Sequence, residues 1–283
     1  MKKYLKEHEW SIIEEGFDPD NHEVSESVFS IGNGHMGQRA NFEESYSGKS
    51  LQGSYMAGVY YPDKTRVGWW KNGYPEYFAK VLNSTNWIGL NVNIDGEELD
   101  LNKAKVTEFV RELNMKEGYL QRTFTAELKD GKQIKVQATR FVSIVDKEIG
   151  ALKYEITPLN FNGTLKLTSY LDGDVKNEDA NYDEKFWDPV NTVITDNRMS
   201  ITLKTKKLDL HRTSIALLQI KPYISHAQAA FSCTLMILLY RLALYAFYSA
   251  VIRIKHEACL YLLREERSIK VLHFSKLCGT EFH

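Results

Sequence analysis

"VFSIGNGHMGQRANFEE", residues 28–44, is the stretch whose reading decides the fold. It contains Gly32-x-Gly34-x-x-Gly37, the glycine spacing of a dinucleotide-binding turn. Such a turn needs a strand, the glycines, a helix, and then a parallel strand ending in an acidic residue about 20 positions on. "SVFSI" supplies a strand. The residues that follow, "QRANFEESYSGKSLQGSYMAGVYY", are interrupted by Gly48, Gly53 and Gly58 and carry no long amphipathic pattern. The first downstream acid within reach, Asp63, stands in "YPDK", a turn-like context. The glycines are therefore read as letting a strand bend and pack closely on its neighbour, and no nicotinamide or flavin cofactor is expected.

Outward from this stretch the chain is punctuated by Asn72-Gly73, Asp95-Gly96, Asp130-Gly131, Asn162-Gly163 and Asp172-Gly173. Asn/Asp-Gly supplies the positive φ angles of tight hairpins. The flanks alternate with period two, as half-buried strands do. "LQRTFTAEL" puts Leu120, Phe124, Ala126 and Leu128 on one face, and "KQIKVQATRFV" aligns Ile134, Val136 and Ala138. "ALKYEI" and "TLKLTSYL" repeat the pattern, while "WIGLNVNIDGEELDL" and "NTVITDNRMSITLK" read as further hairpins. Stacked hairpins without crossover helices predict an all-β fold, a large antiparallel β-sandwich.

Bulk composition narrows the function. The 283 residues hold 36 Lys+Arg against 37 Asp+Glu, a net charge of −1. No basic field points to nucleic acid or a membrane surface. Three cysteines, Cys233, Cys259 and Cys278, form neither a disulfide framework nor a CxxC site, and no secretory pattern opens the chain. A cytoplasmic location is expected. The 16 Tyr and 5 Trp suit both a large β core and sugar-facing surfaces.

The character of the sequence changes near residue 210. All but one of the glycines lie at or before Gly173, no Asp follows Asp209, and the cysteines all follow residue 232. Residues 227–252, "AQAAFSCTLMILLYRLALYAFYSAVI", are apolar except for Arg241. Three readings stand open: a membrane span, against which Arg241 argues; a buried helix; and a tail translated out of frame. The expected organisation is an N-terminal sandwich over residues 1–222, followed by an atypical helical or disordered tail over 223–283.

At the glycine turn the sequence also resembles a family. "ESVFSIGNGHMGQRANFEE" is similar to the opening strand and turn of glycoside hydrolase family 65, whose members include disaccharide phosphorylases. "GSYMAGVYYPDKTRVGWWKNGYPEYFAKVLN", "STNWIGLNVNIDGEELDL" and "RELNMKEGYLQRTF" extend the resemblance from Trp10 to Leu208. Within the family the wording is most similar to the members that act on maltose. The resemblance implies an N-terminal super-β-sandwich, a helical linker, an (α/α)6-barrel catalytic domain and a small C-terminal sheet domain, in chains that often dimerise. It implies phosphorolysis of an α-glucoside disaccharide, with inorganic phosphate as co-substrate and inversion at the anomeric carbon. A protonated carboxylic acid on the glycosidic oxygen, with phosphate attacking the opposite face, is the required chemistry. In the family both acid and phosphate pocket belong to the barrel, so this chain is expected to contain no catalytic residue.

Other constellations are weaker. The acidic stretch "LDGDVKNEDANYDEKFWDP" departs from a calcium loop at Lys176 and Asn177. The eight histidines show no zinc spacing, and neither Ser30 nor Ser54 stands in a nucleophile motif. No metal is expected. Aromatic clusters in "GWWKNGYPEY" and "FWDP" make Trp70, Trp187 and Asp188 the candidates for the substrate side or a domain interface, since indole faces stack on sugars or pack on neighbours. The rival reading is an autonomous carbohydrate-binding β-sandwich.

Overall fold

The computed structural model describes residues 4–65, 73–178, 184–195, 198–208, 210–225, 228–240, 246–255, 259–264 and 272–273, with side chains described through residue 216. In chain order the strands are β1 (Leu5–Glu7), β2 (Ser11–Glu15), β3 (Ile31–Gly32), β4 (Met36–Gln38), β5 (Ser54–Met56), β6 (Tyr60–Lys64), β7 (Tyr77–Val81), β8 (Leu90–Ile94) and β9 (Glu97–Glu98). They continue with β10 (Lys105–Asn114), β11 (Tyr119–Glu127), β12 (Gln133–Val142), β13 (Ile149–Pro158), β14 (Gly163–Leu171), β15 (Trp187–Thr195) and β16 (Arg198–Thr205). The last are β17 (His211–Ser225), β18 (Gln228–Tyr240), β19 (Ala246–Lys255), β20 (Cys259–Arg264) and β21 (Leu272–His273). Among the described residues the single α-helix is α1, His22–Val28.

Ten strands form one sheet in the order β1-β2-β10-β11-β12-β13-β18-β17-β16-β15, and six form a second, β21-β20-β19-β14-β8-β9. Two smaller sheets, β3-β4-β5 and β6-β7, complete the all-β sandwich. Every pairing between these strands is antiparallel. The inward faces meet in one core, where Phe124, Val136, Leu152 and Ile156 of the large sheet join Val92, Ile94, Leu165 and Leu167 of the other.

The glycine stretch folds as a hairpin. Ile31 pairs with Gln38 and Gly32 with Gly37, so no helix springs from the third glycine. Gly34 has φ +83°, and a Cβ on Gly32 would meet the Met36 carbonyl oxygen at 3.3 Å. Close approach and a left-handed turn are what these glycines provide. The one helix precedes them and takes in Ser27 and Val28 of the segment read as a strand.

The turn dipeptides divide by mechanism. Asp95-Gly96 has positive φ at both residues and closes β8 onto β9, and Asp130-Gly131 lies between the paired β11 and β12. Asn162-Gly163 instead carries the chain from one sheet to the other. Gly163 lies against the Asp95 carboxylate, which accepts from the Thr164 amide at 2.6 Å. Here glycine serves close packing, a use that the dipeptide alone does not reveal.

The tail is corrected as well. Described parts of residues 227–252 are strands β18 and β19, not a helix, and β18 lies between β13 and β17. An apolar run without clear period fits a sheet-centre strand as well as a buried helix. No helix among the described residues is long and apolar enough to cross a membrane.

The inner face of the large sheet carries charge. Arg111 of β10 stands opposite Arg122 of β11, and Arg140 of β12 lies on the next strand, all three 4% exposed or less. They face Glu14, Glu26, Glu43 and Glu44, which are also buried. Arg122 Nη2 donates to both carboxylates of Glu43 and Glu44, reaching Glu44 Oε2 at 2.6 Å. Arg140 donates to Glu43 Oε1 at 2.8 Å and to the carbonyls of Asn41 and Arg39 at 2.9 and 3.0 Å. The Arg122 guanidinium lies between the rings of Phe42 and Phe124, 4.5 and 4.9 Å from their centres. Stacking and forked donors suit arginine to such a site. Burial would raise the Glu43 carboxyl, yet Arg122 and Arg140 hold it below the usual carboxylate range.

Removing one partner of a buried pair leaves the other uncompensated. Arg122→Met is therefore expected to lower stability by about 3–5 kcal/mol in urea unfolding, and a loss of under about 1 kcal/mol contradicts this role. A pH dependence follows from Glu26. Burial pushes its carboxyl up, but the hydrogen bond and charge of His22, with bonds from Ser50 and Leu51, bring it down to about 2. A carboxyl depressed on folding adds stability that is complete above its unfolded value of 4.5 and lost as pH falls toward 2. Glu26→Gln is expected to flatten unfolding free energy across that acid window; an unchanged acid slope contradicts the assignment.

Candidate functional site

After β4 the chain crosses between the two large sheets. Residues 39–44 are held to the ten-stranded sheet by Arg122 and Arg140, and the Leu90 amide of β8 donates to the Glu43 carbonyl at 2.8 Å. Ser45 Oγ then donates to Glu98 Oε1 at 2.5 Å, with Asn91 Oδ1 a further 3.1 Å neighbour. Asn41 fixes the segment from within: its Nδ2 donates to Glu26 Oε1 at 2.8 Å and its Oδ1 accepts from the Gly53 amide at 3.1 Å.

This crossing forms one wall of a half-open cleft of about 670 Å³. The rest of the lining comes from Asn83, Asn86, Tyr170, Asp174 to Lys176, Glu178 and Lys185. Asn83 joins the walls. Its Oδ1 accepts from the Ser54 amide at 2.8 Å, and its Nδ2 donates to the Gln52 and Lys176 carbonyls at 3.3 and 3.1 Å. Its own amide donates to Asn177 Oδ1 at 2.9 Å. Asn86 and Asp172 exchange backbone bonds of 2.7 and 2.9 Å, closing the far end.

Three groups set the cleft's chemistry. Glu44 lies on its lining with Oε1 accepting from Tyr154 at 2.6 Å, and its charge is met by Arg122. Burial, and then Glu44, push the Tyr154 hydroxyl well above its ordinary range, so it stays a donor. Asn86 is 6% exposed, and its Oδ1 accepts from the Ile88 amide at 3.2 Å, leaving Nδ2 without an acceptor among the described residues. Tyr46 and Tyr170 also border the cleft, the Tyr46 ring packing behind it on Phe17, His22 and Phe42. Charges at the rim alternate: Asp174 pairs with Lys185 at 2.5 Å, and Lys176 and Glu178 stand beside them.

The residues singled out in the sequence fall around this cleft unequally. Trp187, at the start of β15, is 7% exposed and donates Nε1–H to the Asn83 carbonyl at 2.8 Å. It thereby supports the wall from behind. Asp188 is half-buried and pairs in register with Lys204. It contributes, after burial and Glu184, to pushing the nearby Tyr61 hydroxyl up to about 12. Trp70 lies outside the described residues. Asn83, Asn86 and Tyr170 were not anticipated. The polar run "NSTN" between Leu82 and Trp87 was the signal for the two asparagines, and all four of its residues are buried; Tyr170 had none.

Comparison with known proteins fits this architecture. The sequence profile of "Glycosyl hydrolase family 65, N-terminal domain" matches residues 12–231, past Leu208 and into β18. A maltose phosphorylase of Bacillus subtilis (strain 168) is 49% identical over 179 residues, 63% of this chain and 24% of that protein. An alpha,alpha-trehalose phosphorylase of Thermoanaerobacter brockii is 34% identical, over 60% of this chain and 22% of its own length. A solved structure titled putative kojibiose phosphorylase from human microbiome superimposes with a TM-score of 0.69 at 29% identity, covering 90% of this chain and 34% of that one. The chain thus spans about a quarter of the length of the curated relatives it matches. It belongs to glycosyl hydrolase family 65, whose N-terminal domain it carries over residues 12–231.

Proposed function

We propose that this chain is the N-terminal, non-catalytic part of a disaccharide phosphorylase that converts maltose and inorganic phosphate, with inversion, to β-glucose 1-phosphate and glucose. The observation that carries the choice of maltose is the 49% identity to the Bacillus subtilis relative, against 34% to the trehalose phosphorylase. The buried carboxylates support the non-catalytic reading. Glu43 and Glu44 are committed to Arg122 and Arg140, and Glu26 to His22, Asn41 and Ser50. A general acid must instead be protonated and face the glycosidic oxygen. That acid and the phosphate pocket belong, in this reading, to an (α/α)6 barrel in the remaining length of the enzyme. Its setting is cytoplasmic, in keeping with a cysteine count and spacing that suggest no disulfide framework, and its assembly a homodimer.

The sandwich would support that barrel through the β6–β7 hairpin. Tyr60 pairs with Val81 and Lys64 with Tyr77, and Tyr60, Val81 and Tyr77 are 49%, 58% and 43% exposed. An apolar face of this kind fits a domain interface. Trp70 lies in the connection between the two strands, which makes it the interface candidate of this reading. Incubated with maltose and phosphate, the chain is expected to release no glucose 1-phosphate, and detectable turnover contradicts the proposal. Sequencing the coding DNA past the codon for residue 231, where the family match ends, is expected to uncover a frame for the helical barrel. Its absence contradicts the partner-domain reading.

A further inference from the structure

The cleft beneath residues 39–46 plays no part in the phosphorolysis proposed above. Its volume of about 670 Å³ lies within the range of roughly 300–1,000 Å³ typical of small-molecule sites. Its chemistry narrows the ligand. Charges in it cancel locally: Glu44 is met by Arg122, Asp174 by Lys185, and Lys176 and Glu178 are of opposite sign. An anion such as phosphate finds no uncompensated cation there, and a cation no uncompensated carboxylate. The lining otherwise mixes amide and hydroxyl side chains with Phe42, Tyr46, Tyr170 and Val175.

The second observation is Asn86. The residue is buried, yet its amide nitrogen is open to the cleft and has no protein acceptor among the described residues. Here Oδ1 is fixed by the Ile88 amide, which also sets the orientation of the group, and Nδ2 is left on the cleft lining as an unused donor. Gln52, exposed on the same lining, supplies an amide oxygen as acceptor. Ligand hydroxyls can accept from the first and donate to the second, as adjacent hydroxyls of a sugar do.

We infer that this cleft is a subsite for a neutral sugar, a mono- or disaccharide of glucose, held by the sandwich itself. Only the choice of glucose rests on the phosphorylase reading; the class of ligand rests on the cleft. The subsite works without the barrel, so it would tether a glucoside near the enzyme rather than hold it for bond cleavage.

The test is a titration of this chain with maltose and with glucose, followed by calorimetry and by amide chemical shifts. Inorganic phosphate serves as the charged control. Saturable binding of either sugar is expected, with shifts at residues 44–46, 83–86 and 174–178 and none produced by phosphate. Gln52→Trp fills the cleft from an exposed position, since the Gln52 contact to Asn83 uses only its backbone carbonyl. It is expected to weaken binding at least about tenfold. Asn86→Asp keeps the acceptor for Ile88 and removes the free donor, and is expected to weaken binding about threefold to tenfold. Absence of saturable binding by the unaltered chain overturns the inference. So does binding that a folded Gln52→Trp protein retains in full, or tighter binding of phosphate than of either sugar. None of these outcomes bears on turnover, so the subsite and the phosphorylase reading fail separately.

Discussion

Three guanidinium groups taken out of water set the terms for the rest of this fold. Arg111, Arg122 and Arg140 project from neighbouring strands into the space between the sheets, where an apolar residue would be the simpler choice. Each is tolerable only while carboxylates and carbonyls stand opposite it. Those partners come almost entirely from residues 14–44, and above all from the segment that follows the glycine hairpin. The hairpin bends so that Arg39 to Glu44 can pass over the arginines, and the passage holds both large sheets. The motif that imitates a dinucleotide fingerprint is therefore the hinge of an internal clamp.

The consequence extends to the cleft. Glu44 is both the last carboxylate of the clamp and part of the cleft lining, so the segment that joins the sheets also shapes a surface. Asn83 performs the same service on the other wall, with Trp187 behind it. A site built on such bonded backbone is set in place before any ligand arrives, which lowers the ordering cost of binding. The exposed β6–β7 face is different in kind. It is apolar and lies on a two-stranded sheet, which suits contact with another folded surface more than capture of a small molecule.

Much of the sandwich was legible in the sequence because alternation and turn chemistry are local. Strands β8, β9 and β11 to β16 appear where the hairpin patterns place them, β10 was not read, and Asp95-Gly96 announces its hairpin by the φ angles it needs. Sheet assignment was not legible. Asn162-Gly163 looks like any hairpin dipeptide, yet it links different sheets, because the contact that decides this is with Asp95, distant in sequence. The clamp had left a sign that was passed over: "LQRTFTAEL" alternates strictly, and Arg122 occupies a core-facing position between Leu120 and Phe124. A charge at such a position announces a buried partner. Its partner could not be named, since Glu43 lies 79 residues away in a stretch without periodicity. The apolar tail was the hardest segment, because length and composition alone do not separate a buried helix from a sheet-centre strand.

Hydrogen exchange on the folded chain tests the clamp most directly. The Ala40, Gly53 and Leu90 amides donate to Glu26, Asn41 and Glu43, and so report whether the crossing segment opens by itself. If the arginines bind this segment to both sheets, these amides exchange only when the whole sandwich unfolds, with the same free energy as the centres of β11 and β12. Exchange several orders of magnitude faster than in those strands would show that the segment lifts away while the sheets stay together, contradicting the account.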